Sequence, residues 1–148
     1  MSKVILLGIS NLKGAPMKEM KFVNAIKGQG LLNDRKLKEN NHKKSQLTLI
    51  EIENIDYYNK ISNSSIKPLN FRRNIITKGI QLNKLINKDF FIGNVKVKAH
   101  DLCRPCKYLE ELLGQKSLVE ELILKGGLRC EILTSGKIYV NDIIKIYD

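Results

Sequence analysis

The sequence has no tryptophan, and its aromatic residues amount to only 6% of 148 positions. That leaves little stacking surface for single-stranded nucleic acid, where base–aromatic contacts carry much of the affinity. Arginine is scarce as well, 5 residues against 21 lysines, which argues against bidentate phosphate or guanine readout over a broad surface. There are three cysteines, an odd number that does not make a disulfide framework and that fits a reducing compartment. No apolar run approaches the roughly 20 residues of a membrane span, and Val4 to Gly8 behind Lys3 is too short for a signal-peptide core. The expected location is the cytoplasm.

Positive charge is what the sequence has in excess. Lysine and arginine together number 26 against 15 aspartates and glutamates, a formal net charge of +11, and the isoelectric point is near 9.6. Such an excess favours anionic partners: nucleic acid, anionic lipid or a phosphorylated ligand. It is uneven, with 14 basic and 6 acidic residues in positions 1–74 against 12 and 9 in positions 75–148. The densest run, Arg35, Lys36, Lys38, Lys43 and Lys44, reads as a solvated loop. A hydrophobic content of 43% with a mean hydropathy of -0.23 indicates a folded globular chain, and the length suits one domain over residues 1–148.

Short apolar stretches separated by Gly and Asn predict many short strands. Val4–Ser10, Lys21–Ile26 and Gln46–Ile50 read as strands, and Phe71–Lys78 as extended. Phe90–Ile92 and Val95–Ala99 form the clearest hairpin, around Gly93-Asn94. Glu51–Lys60 carries a helical face, Ile80–Leu85 a helical turn, and leucines 109, 112, 113, 118 and 122 mark two further short helices ending at Gly126-Gly127. Leu128–Leu133, Lys137–Val140 and Ile143–Tyr147 read as a closing β-meander. The predicted fold class is mainly β, a closed or nearly closed mixed barrel with three or four short helices, because an open sheet would leave exposed edges.

Three groups of residues could carry chemistry. Cys103-Arg104-Pro105-Cys106 stands at a predicted helix start, where the helix dipole, Arg104 and Lys107 favour a thiolate. This makes Cys106 the best nucleophile or soft-metal ligand. Half a zinc site completed by His42, His100 or Cys130, a redox dithiol, and inert buried thiols are alternative readings. In Arg72-Arg73-Asn74 an extended backbone would turn only one arginine toward a pocket, the other being solvated or paired with Asp34, Glu51 or Glu53. Asp34-Arg35-Lys36 follows the Gly28-Gln29-Gly30 bend, a weak phosphate-loop signal by itself. His100-Asp101 does not make a dyad, since neighbours in a strand point apart.

Taken in order, Lys13-Gly14, Gly30 to Arg35, Gln46 to Glu51, Phe71 to Ile75, Arg104-Pro105-Cys106, Gly127-Leu128 and Gly136 to Ile138 resemble the MOSC domain family, named after the molybdenum cofactor sulfurase C-terminal domain. The resemblance implies a barrel similar to the small barrel domain of pyruvate kinase, in a stand-alone domain with no fused partner. It implies a pocket for the molybdenum cofactor (molybdopterin), with Cys106 carrying sulfur or ligating molybdenum. Positions matching Arg73 and Asn74 would line that pocket, and Arg35 and Lys13 would help hold the pterin phosphate. The function implied is that of a sulfur carrier or cofactor-binding protein, or of a molybdenum-dependent reductase of N-hydroxylated compounds. Molybdoenzymes or cofactor-biosynthesis proteins are the implied partners. Pyridoxal phosphate, which belongs to the sulfurase's separate aminotransferase-like domain, is not expected in this chain. A non-catalytic delivery domain and a basic nucleic-acid-binding module are the alternatives. Two positions depart from the family pattern: Lys36 replaces a usual histidine and Ser45 a common arginine.

Overall fold

Two strands that are buried on both faces decide the layering. Leu47–Glu51 and Ile75–Lys78 present Leu47, Leu49 and Ile75 to one apolar cluster, and Ile50 and Ile76 to another. A strand with apolar residues on both faces needs cover on both sides. Here one side is the interior of a barrel and the other a layer of helices. The computed structural model describes residues 1–104 and 107–147 of the chain.

The elements run β1 (Lys3–Ile9), β2 (Lys18–Met20), β3 (Phe22–Ile26), β4 (Gly30–Leu31), β5 (Leu47–Glu51), α1 (Ile52–Ile61), β6 (Ile75–Lys78), β7 (Asp89–Ile92), β8 (Val95–Leu102), α2 (Lys107–Leu112), α3 (Leu118–Glu121), β9 (Leu128–Ile132), β10 (Gly136–Tyr139) and β11 (Ile144–Ile146), with 3-10 turns at Pro68–Phe71 and Leu82–Leu85. The main sheet has the order β11-β7-β8-β9-β5-β6-β1-β2, and a small sheet the order β10-β3-β4. A bridge between Lys3 and Ile143 brings β1 back to the chain just before β11. Around it, the Val4 N–H donates to Asp142 O and the Ile144 N–H to Ser2 O, both at 2.9 Å. The main sheet therefore curls until its ends nearly meet, as the abundance of short strands predicts. Val4, Leu7, Phe90, Ile92, Val95, Val97, Leu128 and Ile132 fill the interior. Outside it, Ile55 and Tyr58 of α1 pack with Phe71, Leu109, Leu118 and Leu122.

Two local expectations are corrected, and one parallel pair makes the sheet mixed as expected. The last three strands are not a meander: β9 lies between β5 and β8, β10 pairs with β3, and β11 pairs with β7. Each completes a remote edge, which is how a curled sheet removes its exposed strands. β5 and β6 are parallel, joined through α1, where a parallel pair needs a crossover. The span 71–78 is not continuously extended, because Arg72 adopts the left-handed conformation with φ 64° and ψ 31° at the end of the 3-10 turn. The Gly93-Asn94 hairpin between β7 and β8 forms as predicted.

The tightest steric demand among the glycines falls on Gly127. Gly127 has φ +98°, and a β-carbon there would collide with the Leu49 carbonyl. Its carbonyl accepts the Cys103 N–H at 2.7 Å, so this close approach also seats the end of β8. Gly28 also has positive φ, +73°, but faces open space. Gly127→Ala should lower unfolding free energy by roughly 3 kcal/mol or more, while Gly28→Ala should cost only about 1 kcal/mol, the left-handed penalty alone. Urea denaturation of the two variants checks the difference.

Candidate functional site

The site is built on the outer face of the sheet, at one rim of the barrel. Because side chains alternate along a strand, the residues flanking the interior set face outward: Gly8 on β1, Asn74 before β6, Thr48 on β5 and Arg129 on β9. Asn74 joins three of these strands. Its Oδ1 accepts from the Thr48 N–H and hydroxyl, both at 3.2 Å, and its Nδ2 donates to Gly8 O at 3.1 Å. Its own N–H donates to Thr48 Oγ1 at 3.0 Å and its carbonyl accepts the Gly8 N–H at 2.8 Å. Thr48 in turn faces Arg129 across the β5–β9 pair.

Two loops are fastened beside this row. Buried Asp34 accepts the Ser10 N–H at 3.0 Å, and the Arg35 N–H returns to Ser10 O at 2.7 Å. The Ser10 hydroxyl lies within hydrogen-bond distance of Leu12 O and Ala15 O, at 2.8 and 3.0 Å, so the chain after β1 curls tightly. Arg72 Nη1 donates to Ala15 O at 2.6 Å, which closes the curl from the other side. Arg73 donates from Nε to Gly126 O at 2.9 Å. The left-handed turn at Arg72 thus lets both arginines face the same recess, where an extended backbone would have parted them.

That recess is a cleft with two chambers. The larger, about 520 Å³, is walled by residues 11–14, Arg35, Lys36, Arg72, Arg73, Tyr108 and Leu109. The smaller, about 230 Å³, is walled by Lys36, Lys44, Ser45, Thr48, Arg73, Cys103, Arg104 and Arg129. Lys36 and Arg73 belong to both. All five arginines of the chain therefore meet here, with Lys13, Lys36 and Lys44, and no carboxylate is among the described wall residues. The charge that composition spread over the whole chain has a focus.

Crowding shows in the titration of the walls. Lys36 reaches solvent through the mouth of the cleft, but desolvation of its ammonium there, followed by the charges of Arg35 and Arg73, lowers its pKa from the ordinary lysine value of 10.5. Arg35 is shifted down too, first by burial, with Asp34 opposing and Arg72 and Arg73 adding to the shift. Burial raises the Cys103 thiol although Arg73, Lys36 and Arg129 pull it the other way. Arg72 Nη2 is sealed from solvent with no hydrogen-bond partner among the described residues. Buried donors without partners are uncommon and expensive, so this one fits a cleft made for an acceptor-rich ligand.

Of the residues expected from sequence, Lys13, Arg35 and Arg73 stand on the cleft walls. Asn74 does not; it lies buried below them, where its amide braces Thr48 and Gly8. Cys106 lies outside the described residues. Arg129, Tyr108 and Lys44 line the wall in addition, as do Arg72 and Arg104, the arginines beside the Arg73 and Cys106 positions. For Arg129 the signal was the alternation Leu128-Arg129-Cys130-Glu131-Ile132, which sends the arginine outward. Among the described residues neither Arg72 nor Arg73 pairs with a carboxylate; their bonds go to carbonyls. Cys130 is a fully buried core thiol, His100 pairs with Glu131 at 2.8 Å and His42 is exposed, so the histidines and Cys130 have other surroundings than the cleft. Within the lysine-rich loop, Lys38 and Lys43 are solvated as expected, but Lys36 and Lys44 are wall residues.

The family model described as the MOSC domain matches residues 34–145, a span that includes all five arginines of this cleft and the Cys106 position. The chain belongs to the MOSC domain family. That family is associated with the molybdenum cofactor. Among solved structures, the YuaD protein from Bacillus subtilis shares the MOSC chain's fold with a TM-score of 0.83 at 18% identity, covering 100% of this chain and 98% of that one. YiiM from Geobacillus stearothermophilus gives 0.80 at 12% identity, covering 100% and 76%, and YiiM from Escherichia coli 0.73 at 14%, covering 100% and 70%. These likenesses establish the fold. No curated protein matches the chain in sequence. Among the described residues of this MOSC domain, no helix is long and apolar enough to cross a membrane.

The crowding has a measurable consequence. A lysine whose folded pKa lies below its unfolded value is less protonated in the folded state across the window between them, so stability rises with pH there. Stability at low ionic strength should therefore climb as pH rises toward 10.5. Lys36→Gln should flatten that climb and raise the melting temperature at neutral pH, with the gain shrinking in high salt as screening sets in. Thermal melts over pH and salt test this.

Proposed function

We propose that this MOSC protein binds the molybdenum cofactor in the cleft and serves as a cytoplasmic carrier of the cofactor or of its sulfur. The observation that supports it is the convergence of every arginine in the chain on one recess without a carboxylate among its described wall residues. Guanidinium forks match phosphate oxygens in bidentate fashion. A recess concentrates them on a small anion, whereas a polyanion such as nucleic acid is met by a broad surface.

Arg35, Arg73 and Lys13 hold the phosphate of the pterin ligand, and Arg72 offers its free Nη2 to the same group. Leu12, Leu109 and the ring of half-exposed Tyr108 give the larger chamber an apolar side suited to a flat heterocycle. Asn74 is a positioning residue that keeps Thr48 and the β1 end in register. Cys106, which in sequence falls between wall residues Arg104 and Tyr108, supplies the soft sulfur that suits molybdenum or a transferred sulfur atom. When bound, the cofactor supplies a metal centre capable of two-electron redox chemistry. A molybdenum-dependent reductase of N-hydroxylated compounds is the catalytic version of the same reading. Delivery to molybdoenzymes or cofactor-biosynthesis proteins is the non-catalytic version, and turnover of a hydroxylamine substrate with an electron donor separates the two.

Purification from a host that makes the cofactor, followed by metal analysis and pterin fluorescence, tests the proposal. Arg35→Ala and Arg73→Ala should each lower pterin occupancy roughly tenfold, the effect of losing one charge-assisted contact. Cys106→Ser should keep the pterin but lose molybdenum or the extra sulfur mass. Wild-type protein that carries neither pterin nor molybdenum, and takes up neither on incubation with the isolated cofactor, contradicts it.

A further inference from the structure

The cleft holds more positive charge than one phosphorylated ligand can neutralise. Eight cationic side chains line it, and a phosphate monoester brings at most about two negative charges. Like charges about 5 Å apart repel by roughly 3 kcal/mol at an effective dielectric near 20. A protein that packs so many together stores repulsion that a single dianion relieves only in part.

The two chambers differ in chemistry as well as in size. The larger has the apolar contributions of Leu12, Tyr108 and Leu109. In the smaller, the described wall is four arginine and lysine side chains beyond the shared Lys36, together with Ser45, Thr48 and the Cys103 thiol, and no carbon-rich side chain lies among these described residues. Its donors are also open. Arg129 commits only Nε, to Lys44 O at 2.9 Å. Arg104 and the Ser45 hydroxyl have no hydrogen bond to protein among the described residues. Lys44 Nζ has a long contact of 3.5 Å with the half-exposed Asp101 carboxylate at the rim. Thr48 is different, because its hydroxyl is engaged by Asn74.

We propose that the cleft binds two anions at once, the second being an oxyanion of the phosphate or sulfate class held in the smaller chamber by Arg104, Arg129, Lys44 and Ser45. This rests on the cofactor reading for the occupant of the larger chamber only. The smaller chamber has room and donors for a tetrahedral oxyanion and, among the described residues, no apolar wall for a heterocycle. Arg73 and Lys36, shared by both, couple the sites, so filling one chamber lowers the repulsion felt in the other. The second anion is then either a free ion or the charged group of a co-substrate, and a neutral or cationic co-substrate is disfavoured.

The five arginines give the test a simple readout, one Nε–H signal each in a 15N-correlated spectrum, assigned by single substitutions. Sulfate titrated into the full chain should move the Arg104 and Arg129 signals along one saturation curve and those of Arg35 and Arg72 along a second. With the cofactor bound, the first pair should still respond and the second should not. Lys44→Ala combined with Arg104→Gln should weaken the Arg129 curve roughly tenfold and leave the Arg35 curve nearly unchanged; both substituted side chains are at least partly exposed, which favours folding. Glycerol phosphate that binds the smaller chamber more tightly than sulfate identifies a co-substrate, and equal affinity identifies a free ion. A single curve shared by all the arginines, or cofactor displaced one-for-one by sulfate, overturns the second site. If the cofactor fails to bind while sulfate still traces two curves, the two-anion site stands and only the cofactor reading falls.

Discussion

Mutual repulsion among the cations of one rim is the constraint to which the rest of this protein answers. Five guanidinium groups and three ammonium groups share a recess, and among the described residues only two carboxylates pair with them, Asp34 with Arg35 and Asp101 with Lys44 at the rim. Asp34 is the nearest buried acid, and its contact with Arg35 is a long 3.4 Å while its Oδ1 also receives the Ser10 N–H. Its main service is therefore to the backbone of the loop. The cations are held by carbonyls instead: Ala15 for Arg72, Gly126 for Arg73 and Lys44 for Arg129. Such contacts fix direction without cancelling charge, so the potential of the recess remains available to a ligand.

That arrangement requires a stiff support, and the barrel provides it. Apolar residues fill its interior and a second cluster seals the outer face under α1, α2 and α3. Between them the Asn74 network ties β1, β5 and β6 at the height of the cleft. A buried amide with every polar atom bonded rigidifies a sheet, whereas the same group left unbonded weakens it. The close approach of Gly127 to Leu49 serves the same end, since it seats the residues whose carbonyls receive Arg73 and Cys103.

How much of this could be read in the chain depended on how local each determinant was. The β7–β8 hairpin was legible because alternation and Gly93-Asn94 lie within a dozen residues. α1 and the strand-rich, curled sheet followed from periodicity and from strand number. Partners of the last strands were not legible, since β10 with β3 and β11 with β7 are joined across more than fifty residues of chain. The left-handed conformation of Arg72 was not legible, because a left-handed arginine leaves no mark in composition. Asn74 was placed on the wall when it braces the wall from beneath. The resemblance to the MOSC family gave Lys13, Arg35 and Arg73 their places, but Arg129, isolated in sequence, was recovered only once β9 was set against β5.

These features gather the cations of the chain at one recess, and the family to which the chain belongs is associated with the molybdenum cofactor. The most direct measurement is anomalous diffraction at the molybdenum edge from crystals grown with the cofactor. The account predicts a molybdenum peak inside the cleft, with pterin phosphate density against Arg35, Arg72 and Arg73. A peak elsewhere on the molecule, such as in the groove beside Glu51, Asn54 and Lys125, or pterin density outside the arginine cluster, would contradict it.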